Sequence, residues 1–211
     1  MKYQEFKKKL RKLPLFSSSQ LGALGGNVAT LKNQLVKWQK KGLLIKLRRG
    51  LYLLNQDDRE MNPSRFFIAC QLYPPCYIST TYALSYYGII PEAVRDVTCV
   101  TTRKTASFDN PSGRYVYQHL KKALFGGFHA EKDENGMLYF IADKEKALVD
   151  YIYFNLKAFA GKENDIFEKS HRFKKESGLN PKKLKGFAAL AKNRQLEKVI
   201  SQFCQYLRQG R

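Results

Sequence analysis

The stretch LLIKLRRGLYLL, residues 43–54, is apolar at both ends and cationic in the middle. Apolar residues of one parity alternate with mostly polar residues of the other, namely Ile45, Leu47, Leu51 and Leu53 against Lys46, Arg48, Gly50 and Tyr52. A period of two residues is typical of a β-strand, and Arg49-Gly50 suits a two-residue turn between strands. The stretch therefore predicts a β-hairpin that packs one face on neighbouring helices and presents its basic tip to solvent.

Two short helical segments open the chain. Residues 3–12 carry apolar side chains at helical spacing, and Pro14 ends the pattern. Ser17 and Gln20 have the spacing of a capping box, which predicts a short helix that begins near Ser18.

A longer amphipathic helix is predicted over residues 28–41. Asn27 is a good N-cap residue, and Gly42 is a good residue to follow the C-terminus. The apolar residues predicted to form the buried face are Val28, Leu31, Leu35 and Trp38. The opposite face is polar and basic and holds no acid: Ala29, Thr30, Asn33, Lys37 and Lys40.

Helix, short helix, amphipathic helix and hairpin follow one another in the order of a winged helix-turn-helix, a DNA-binding fold. Asn33 suits adenine, and Lys37 suits guanine or phosphate. The nine candidate DNA-binding residues are Ser18, Ser19, Asn27, Thr30, Asn33, Lys37, Lys46, Arg48 and Arg49. Two simpler readings remain open: the helix face is only solvated, or the hairpin charges only protect a strand edge.

The basic charge is concentrated at the two ends of the chain. Residues 1–55 hold 13 Lys and Arg against one acid, residues 56–155 hold 11 against 12, and residues 156–211 hold 14 against five. This division indicates that the two ends of the chain bind a polyanion and that the middle of the chain has a different function. The basic C-terminal helices fit a second DNA surface, a toxin or RNA contact, or a solvated face.

The rest of the chain predicts a larger α/β domain. A polar break places the domain boundary near residue 58, so residues 1–58 form the winged helix and residues 59–211 the second domain. Helices and strands are mixed up to residue 155, and residues 156–211 form a basic helical portion. The predicted fold class is α+β.

Three stretches in this order resemble the AbiEi family of antitoxins, from bacterial type IV toxin–antitoxin (abortive infection) systems. They are the hairpin LLIKLRRGLYLL, then CYISTTYALSYYGIIPEAVRDVTCVTT, then YFIADKEKALVDYIYF. The family patterns correspond to residues 78–88, 97–102 and 141–150. The resemblance spans roughly residues 15–160.

The resemblance implies a transcriptional autorepressor that binds inverted repeats in its own promoter. It also implies that the second domain counteracts a nucleotidyltransferase-like toxin, without a need for a stable complex. Lys144, Lys146 and Asp150 lie in the signature helix and are the antitoxin-domain candidates. Lys146 and Asp150 are also four residues apart, so an ordinary ion pair explains them equally well.

The sequence gives little reason to expect an enzyme, a cofactor or a metal site. His119, His129 and His171 have no nucleophile or Cys partner at motif spacing, and P-loop, GxGxxG and HExxH motifs are absent. The four cysteines form no CxxC pair, which favours reduced, mostly buried thiols. No apolar run reaches the roughly 18 residues of a membrane helix. We therefore expect a cytoplasmic protein with no catalytic residues.

Two other functions stay open from the sequence. One is a stand-alone winged-helix transcription factor whose second domain senses a ligand, and the other is a nucleic-acid-processing enzyme. An inverted repeat would need two copies of the chain, either as a homodimer or as monomers that cooperate on DNA.

Overall fold

A computed structural model describes residues 1–159, 166–170, 172–174 and 178–208. The fold is mixed α+β with two sheets, which confirms the predicted class. His171 and parts of the predicted basic helical portion lie outside the described residues.

The N-terminal part contains two α-helices, a 3₁₀ helix and a three-stranded sheet of order β1-β3-β2. Its elements are α1 (Tyr3–Leu10), β1 (Phe16–Ser17), the 3₁₀ helix (Ser18–Leu24), α2 (Val28–Lys40), β2 (Leu44–Arg48) and β3 (Leu51–Leu54). A separate apolar core holds them together, made of Phe6, Leu10, Phe16, Leu21, Leu31, Leu35, Trp38, Leu44 and Leu54.

The local signals predicted from the sequence form these elements. The Gln20 side chain accepts a hydrogen bond from the Ser17 backbone N–H at 2.7 Å, which fixes the start of the 3₁₀ helix. Asn27 caps α2 by accepting the Thr30 N–H at 3.0 Å. Gly50 has φ +81°, the left-handed conformation that glycine adopts most readily, so it closes the turn between β2 and β3.

The larger part is built on a six-stranded mixed sheet of order β6-β7-β5-β4-β9-β8. Its strands are β4 (Cys76–Ile78), β5 (Val97–Thr101), β6 (Ala106–Asn110), β7 (Gly113–His119), β8 (Phe128–Lys132) and β9 (Leu138–Ala142). The first helices packed with them are α3 (Arg65–Leu72), α4 (Thr80–Tyr86) and α5 (Lys144–Phe154). All four cysteines are free and buried, as predicted.

Two amphipathic helices follow in the basic C-terminal portion, α6 (Pro181–Leu190) and α7 (Arg194–Arg208). The Asn180 side chain accepts the Lys182 N–H at 2.9 Å, and proline follows at the first helical position. The apolar residues of α7 repeat on one face of the helix and are all buried: Leu196, Val199, Ile200, Phe203 and Leu207.

Both faces of the β2–β3 hairpin are covered, and the predicted face assignment is wrong. Leu44, Tyr52 and Leu54 face the N-terminal core. The other parity does not pack on the N-terminal helices but joins the core of the larger part: Ile45, Leu47, Leu51 and Leu53. The predicted alternation holds up to Lys46 and along β3, but the register shifts between Lys46 and Arg48, which places Arg48 opposite Leu51. A period of two residues could show neither this irregularity nor the second apolar surface beyond the hairpin.

Two hydrogen bonds fix the hairpin to the larger part. Arg48 Nε donates to the Leu72 carbonyl at 2.6 Å, and Asn110 Nδ2 donates to the Leu47 carbonyl at 3.2 Å. Asn110 ends β6, an edge strand that the sequence analysis missed. The second apolar face of the hairpin thus lies against β6 and the end of α3.

Leu47→Ala should lower the free energy of unfolding by about 2–5 kcal/mol, because it leaves a cavity where the hairpin meets the larger core. Lys46→Ala, an exposed neighbour, should change it by less than about 0.5 kcal/mol. Urea denaturation of both variants measures the difference. A loss below about 1 kcal/mol for Leu47→Ala would contradict this packing.

Candidate nucleic-acid interface

The predicted reading face of α2 is open to solvent. Asn27, Thr30, Asn33 and Lys37 are all exposed, because α2 turns Leu31, Leu35 and Trp38 into the core. The Asn27 carboxamide oxygen is engaged by the Thr30 N–H, so its amide nitrogen is the group left for a ligand. The helix therefore presents polar side chains over several turns of one face.

One valine of α2 departs from the predicted buried face, and a second valine that was assigned to neither face is exposed. Val28, expected in the buried face, is 37% exposed, because the first turn of the helix projects beyond the packed cluster. Val36 is 54% exposed and lies one turn from Asn33 on the helix surface. An exposed aliphatic group among polar ones can contact a thymine methyl. The sequence analysis left Val36 out of the buried face but did not include it among the candidate DNA contacts.

The two predicted serines lie at the start of the 3₁₀ helix, beside the hairpin turn. The Ser18 N–H donates to the Gly50 carbonyl at 2.9 Å, and the Ser18 side chain is half-buried against that turn. Ser19 is exposed, and its hydroxyl is hydrogen-bonded to the Ser17 hydroxyl. Serine hydroxyls and the hairpin tip thus share one surface.

The three hairpin cations divide into two kinds. Lys46 and Arg49 are exposed, and neither forms an ion pair with any residue that the structure describes. Arg48 is half-buried, with Nε on the Leu72 carbonyl and Nη1 on the Arg49 carbonyl at 3.1 Å. Arg48 therefore holds the hairpin in place, whereas Lys46 and Arg49 remain available to a polyanion.

Two of the three acids that follow the hairpin are paired with cations in or next to α1, whereas Asp57 is exposed. Asp58 accepts hydrogen bonds from Lys7 at 2.5 Å and from the Tyr3 hydroxyl at 2.6 Å. These contacts, the Lys7 bond first, hold the pKa of Asp58 below its usual value. Glu60 pairs with Arg11 at 3.0 Å. The cations of α2 and the hairpin are consequently not offset by the carboxylates of Asp58 and Glu60.

The antitoxin-domain candidates Lys146 and Asp150 form a buried ion pair within α5. Lys146 Nζ lies 2.5 Å from Asp150 Oδ1, while the Tyr77 and Ser79 hydroxyls donate to Oδ2 at 2.9 and 2.8 Å. Burial raises the pKa of Asp150, against the opposing effects of the Lys146 ammonium and the two hydroxyls. The pair ties α5 to β4 and to the residue before α4.

The structure does not bring Lys144 to this pair. Lys144 is exposed, with Nζ 5.9 Å from the centre of the Tyr87 ring. A cavity of about 90 Å³ borders the buried pair and is otherwise lined mainly by apolar side chains, among them Phe125 and Phe187. The arrangement can hold a few waters or a very small ligand.

A surface cluster around His129 was missed by the sequence analysis. His129 Nδ1 lies 2.8 Å from Asp143 Oδ1, and Nε2 lies 2.9 Å from Glu131 Oε1. The Tyr139 hydroxyl donates to Glu131 Oε2 at 2.7 Å. A signal was present in the sequence, because the polar stretch KDENG (residues 132–136) suits a turn between two β-strands, and their antiparallel pairing brings His129 near Asp143.

Neither models of known protein families nor curated proteins match the chain. None of the helices in the described part of the chain combines the length and apolar character needed to cross a membrane. The family resemblance therefore rests on the quoted motifs, and the function has to be argued from the geometry.

Lys146→Met should lower the free energy of unfolding by about 3–5 kcal/mol, because it leaves the Asp150 carboxylate buried without its cation. Lys144→Met, two positions away and exposed, is the matched control and should be close to neutral. Adding Asp150→Leu to Lys146→Met should recover part of the loss, since the uncompensated charge is gone. Urea denaturation of the three variants measures this, and equal stability of both single variants would contradict the buried pair.

His129 should titrate above its ordinary pKa. Partial burial lowers the pKa, but hydrogen bonds with Glu131 and Asp143 outweigh that effect and raise it. The imidazolium therefore stabilises the fold fully below the unfolded pKa of about 6.5, and this contribution is lost as pH rises through the folded value. NMR titration should show the raised pKa and its decrease in Asp143→Asn, whereas Asp109→Asn on the remote strand β6 should leave it unchanged.

Proposed function

We propose that the chain is a DNA-binding transcriptional repressor and antitoxin of the AbiEi type, whose N-terminal part is a winged helix-turn-helix. The observation that carries the proposal is the exposed polar and basic face of α2, beside two hairpin cations without a described ion-pair partner. Helix, short helix, recognition helix and hairpin follow one another in the order that this DNA-binding fold requires.

In this proposal α2 enters the major groove. Asn33 and Lys37 offer hydrogen-bond donors to base edges, and Val36 offers an aliphatic contact to a thymine methyl. Lys46 and Arg49 contact phosphates from the hairpin, which acts as the wing. Arg48 has a different role from the one expected, because its guanidinium is used within the protein and keeps the wing oriented.

The antitoxin part of the proposal is supported by the motifs of the larger part. These motifs form β4, α4, β5 and α5, which surround the buried Lys146–Asp150 pair. We expect the chain to restore growth of cells that express the nucleotidyltransferase encoded beside it. Lys144 is the exposed candidate on this helix, so Lys144→Ala tests a surface role without disturbing the core.

A ligand-sensing transcription factor without a toxin is the second candidate function. The cavity of about 90 Å³ beside Lys146 and Asp150 is the observation that favours it. In that case, occupation of the cavity would alter operator affinity, and no neighbouring toxin would be neutralised. The growth experiment distinguishes the two functions.

Titration of the full chain with its own upstream region and with random DNA should distinguish residues that contact bases from residues that contact phosphates. Asn33→Ala should lose about 1–3 kcal/mol of binding free energy on the specific site only. The double variant Lys46→Ala, Arg49→Ala should bind both DNAs more weakly. It should also reduce the slope of log K (the binding constant) against log salt concentration by about two, because each phosphate contact contributes about 0.9.

Lys144→Ala is the control, since this lysine is exposed on α5, which follows β9 and not the strand β6 that contacts the hairpin. The full chain is required, because a fragment of residues 1–58 would expose Leu47, Leu51 and Leu53. Equal affinity of the wild type and all these variants for the upstream region would overturn the assignment of the interface.

A further inference from the structure

Strand β8 is an uncovered edge of the six-stranded sheet. It stands last in the strand order and pairs only with β9, from Phe128↔Ala142 to Lys132↔Leu138. His129, Ala130 and Lys132 are exposed. An edge strand with free backbone groups is a template for pairing with another strand.

The alternation of hydrogen-bonded positions between β8 and β9 determines which backbone groups of β8 form no bond within the sheet. Asp143 donates to the Gly127 carbonyl at 2.9 Å, and Asp133 to the Met137 carbonyl at 3.0 Å. In an antiparallel pair, bonded and non-bonded positions alternate, so residues 129 and 131 bond inward to β9. The N–H and C=O groups of Phe128, Ala130 and Lys132 therefore point away from the sheet. Within the described chain, no backbone bond outside the ladder reaches them.

The sequence of β8, FHAEK, is complementary to itself when read in the opposite direction about Ala130. A two-fold axis at Ala130 pairs it with Ala130 of a second copy, and pairs Phe128 with Lys132. These are the positions whose backbone groups point outward, so all of them meet in bonded pairs. Between them, His129 stands opposite Glu131 of the other copy, in the non-bonded pairs where side chains approach most closely.

We propose that β8 is a homodimerisation edge, at which two copies of this chain pair antiparallel about Ala130 and join their sheets into one. In each half of the interface His129, which is already hydrogen-bonded to Glu131 and Asp143 of its own chain, faces Glu131 of the second copy, so that the imidazolium lies between carboxylates of both copies. An antiparallel register shifted by two residues opposes His129 to itself or Glu131 to itself, which costs energy by like-charge contact. The self-complementary charge pattern thus selects a second copy over an unrelated strand.

The outer face of β9 extends the same surface. Leu138 is 52% exposed and Phe140 is 41% exposed, on the face that also carries Ala130 and Phe128. Joining two sheets brings these apolar groups of both copies to one side of the interface. The pairing is short, so the free dimer should be in the range of about 10–100 µM in Kd.

The inference goes beyond the proposed function and does not depend on it, because dimerisation is measured without DNA. Sedimentation equilibrium of the full chain, from roughly 2 to roughly 300 µM, should show the mass rising from one copy towards two. Ala130→Pro removes the central outward N–H and leaves the ladder to β9 intact, since proline is tolerated at an outward edge position. It should raise the dimer Kd at least about tenfold. Ala130→Ser keeps the N–H and is the matched control.

A charge exchange tests the register. His129→Glu and Glu131→Lys should each be monomeric alone, because like charges then face each other across the axis. An equimolar mixture of the two should dimerise, because residue 129 of each variant then faces an opposite charge at residue 131 of the other. Thermal unfolding confirms that each variant is folded.

Three results would overturn the proposal. The first is a wild-type chain that stays monomeric over the whole concentration range. The second is a dimer that Ala130→Pro leaves unchanged, which would assign association to another surface. The third is a mixture of the two charge variants that stays monomeric although both are folded and the wild type dimerises.

Discussion

The whole arrangement depends on a hairpin that is shared between two cores. Leu44 and Leu54 belong to the N-terminal core, whereas Leu47, Leu51 and Leu53 belong to the core of the larger part. A strand pair with two apolar faces cannot be solvated on either side without a large cost in exposed area. Each part of the chain therefore covers a surface that the other would leave exposed, and the basic tip is fixed relative to both.

Local structure was largely predictable, and long-range packing was not. Alternation and capping residues predicted the hairpin and the start of α2 at Asn27, because these signals act within a few residues. The face of the hairpin that meets the larger part was assigned wrongly, since period-two alternation does not tell which partner covers which face. Strand β6 was missed because ASFDN lies at an edge and mixes polar with apolar residues. The domain boundary near residue 58 stays a prediction.

In the candidate site, too, the local features were predictable and the long-range contacts were not. The exposure of Asn33 and Lys37 followed from helical periodicity, whereas the engagement of Arg48 by the Leu72 carbonyl depends on a residue 24 positions away. An arginine at a hairpin tip reads as a free cation until its acceptor is known. Lys146 and Asp150 were read as an ion pair from their spacing, but burial and the Tyr77 and Ser79 hydroxyls come from β4 and the residue after it.

These contacts explain how the larger part can position the proposed DNA-binding surface, although that surface is formed by residues of the N-terminal part. Arg48 bonds to the last residue of α3, and the chain continues from there into β4, whose Tyr77 is held by Asp150. The hairpin is thus attached to the edge strand β6 and to the end of α3, from which the chain enters the sheet. A phosphate contact from a fixed strand loses less conformational entropy on binding than one from a mobile loop. The buried pair of α5 and the exposed cations of the hairpin are therefore connected by one series of contacts that runs from one part of the chain to the other.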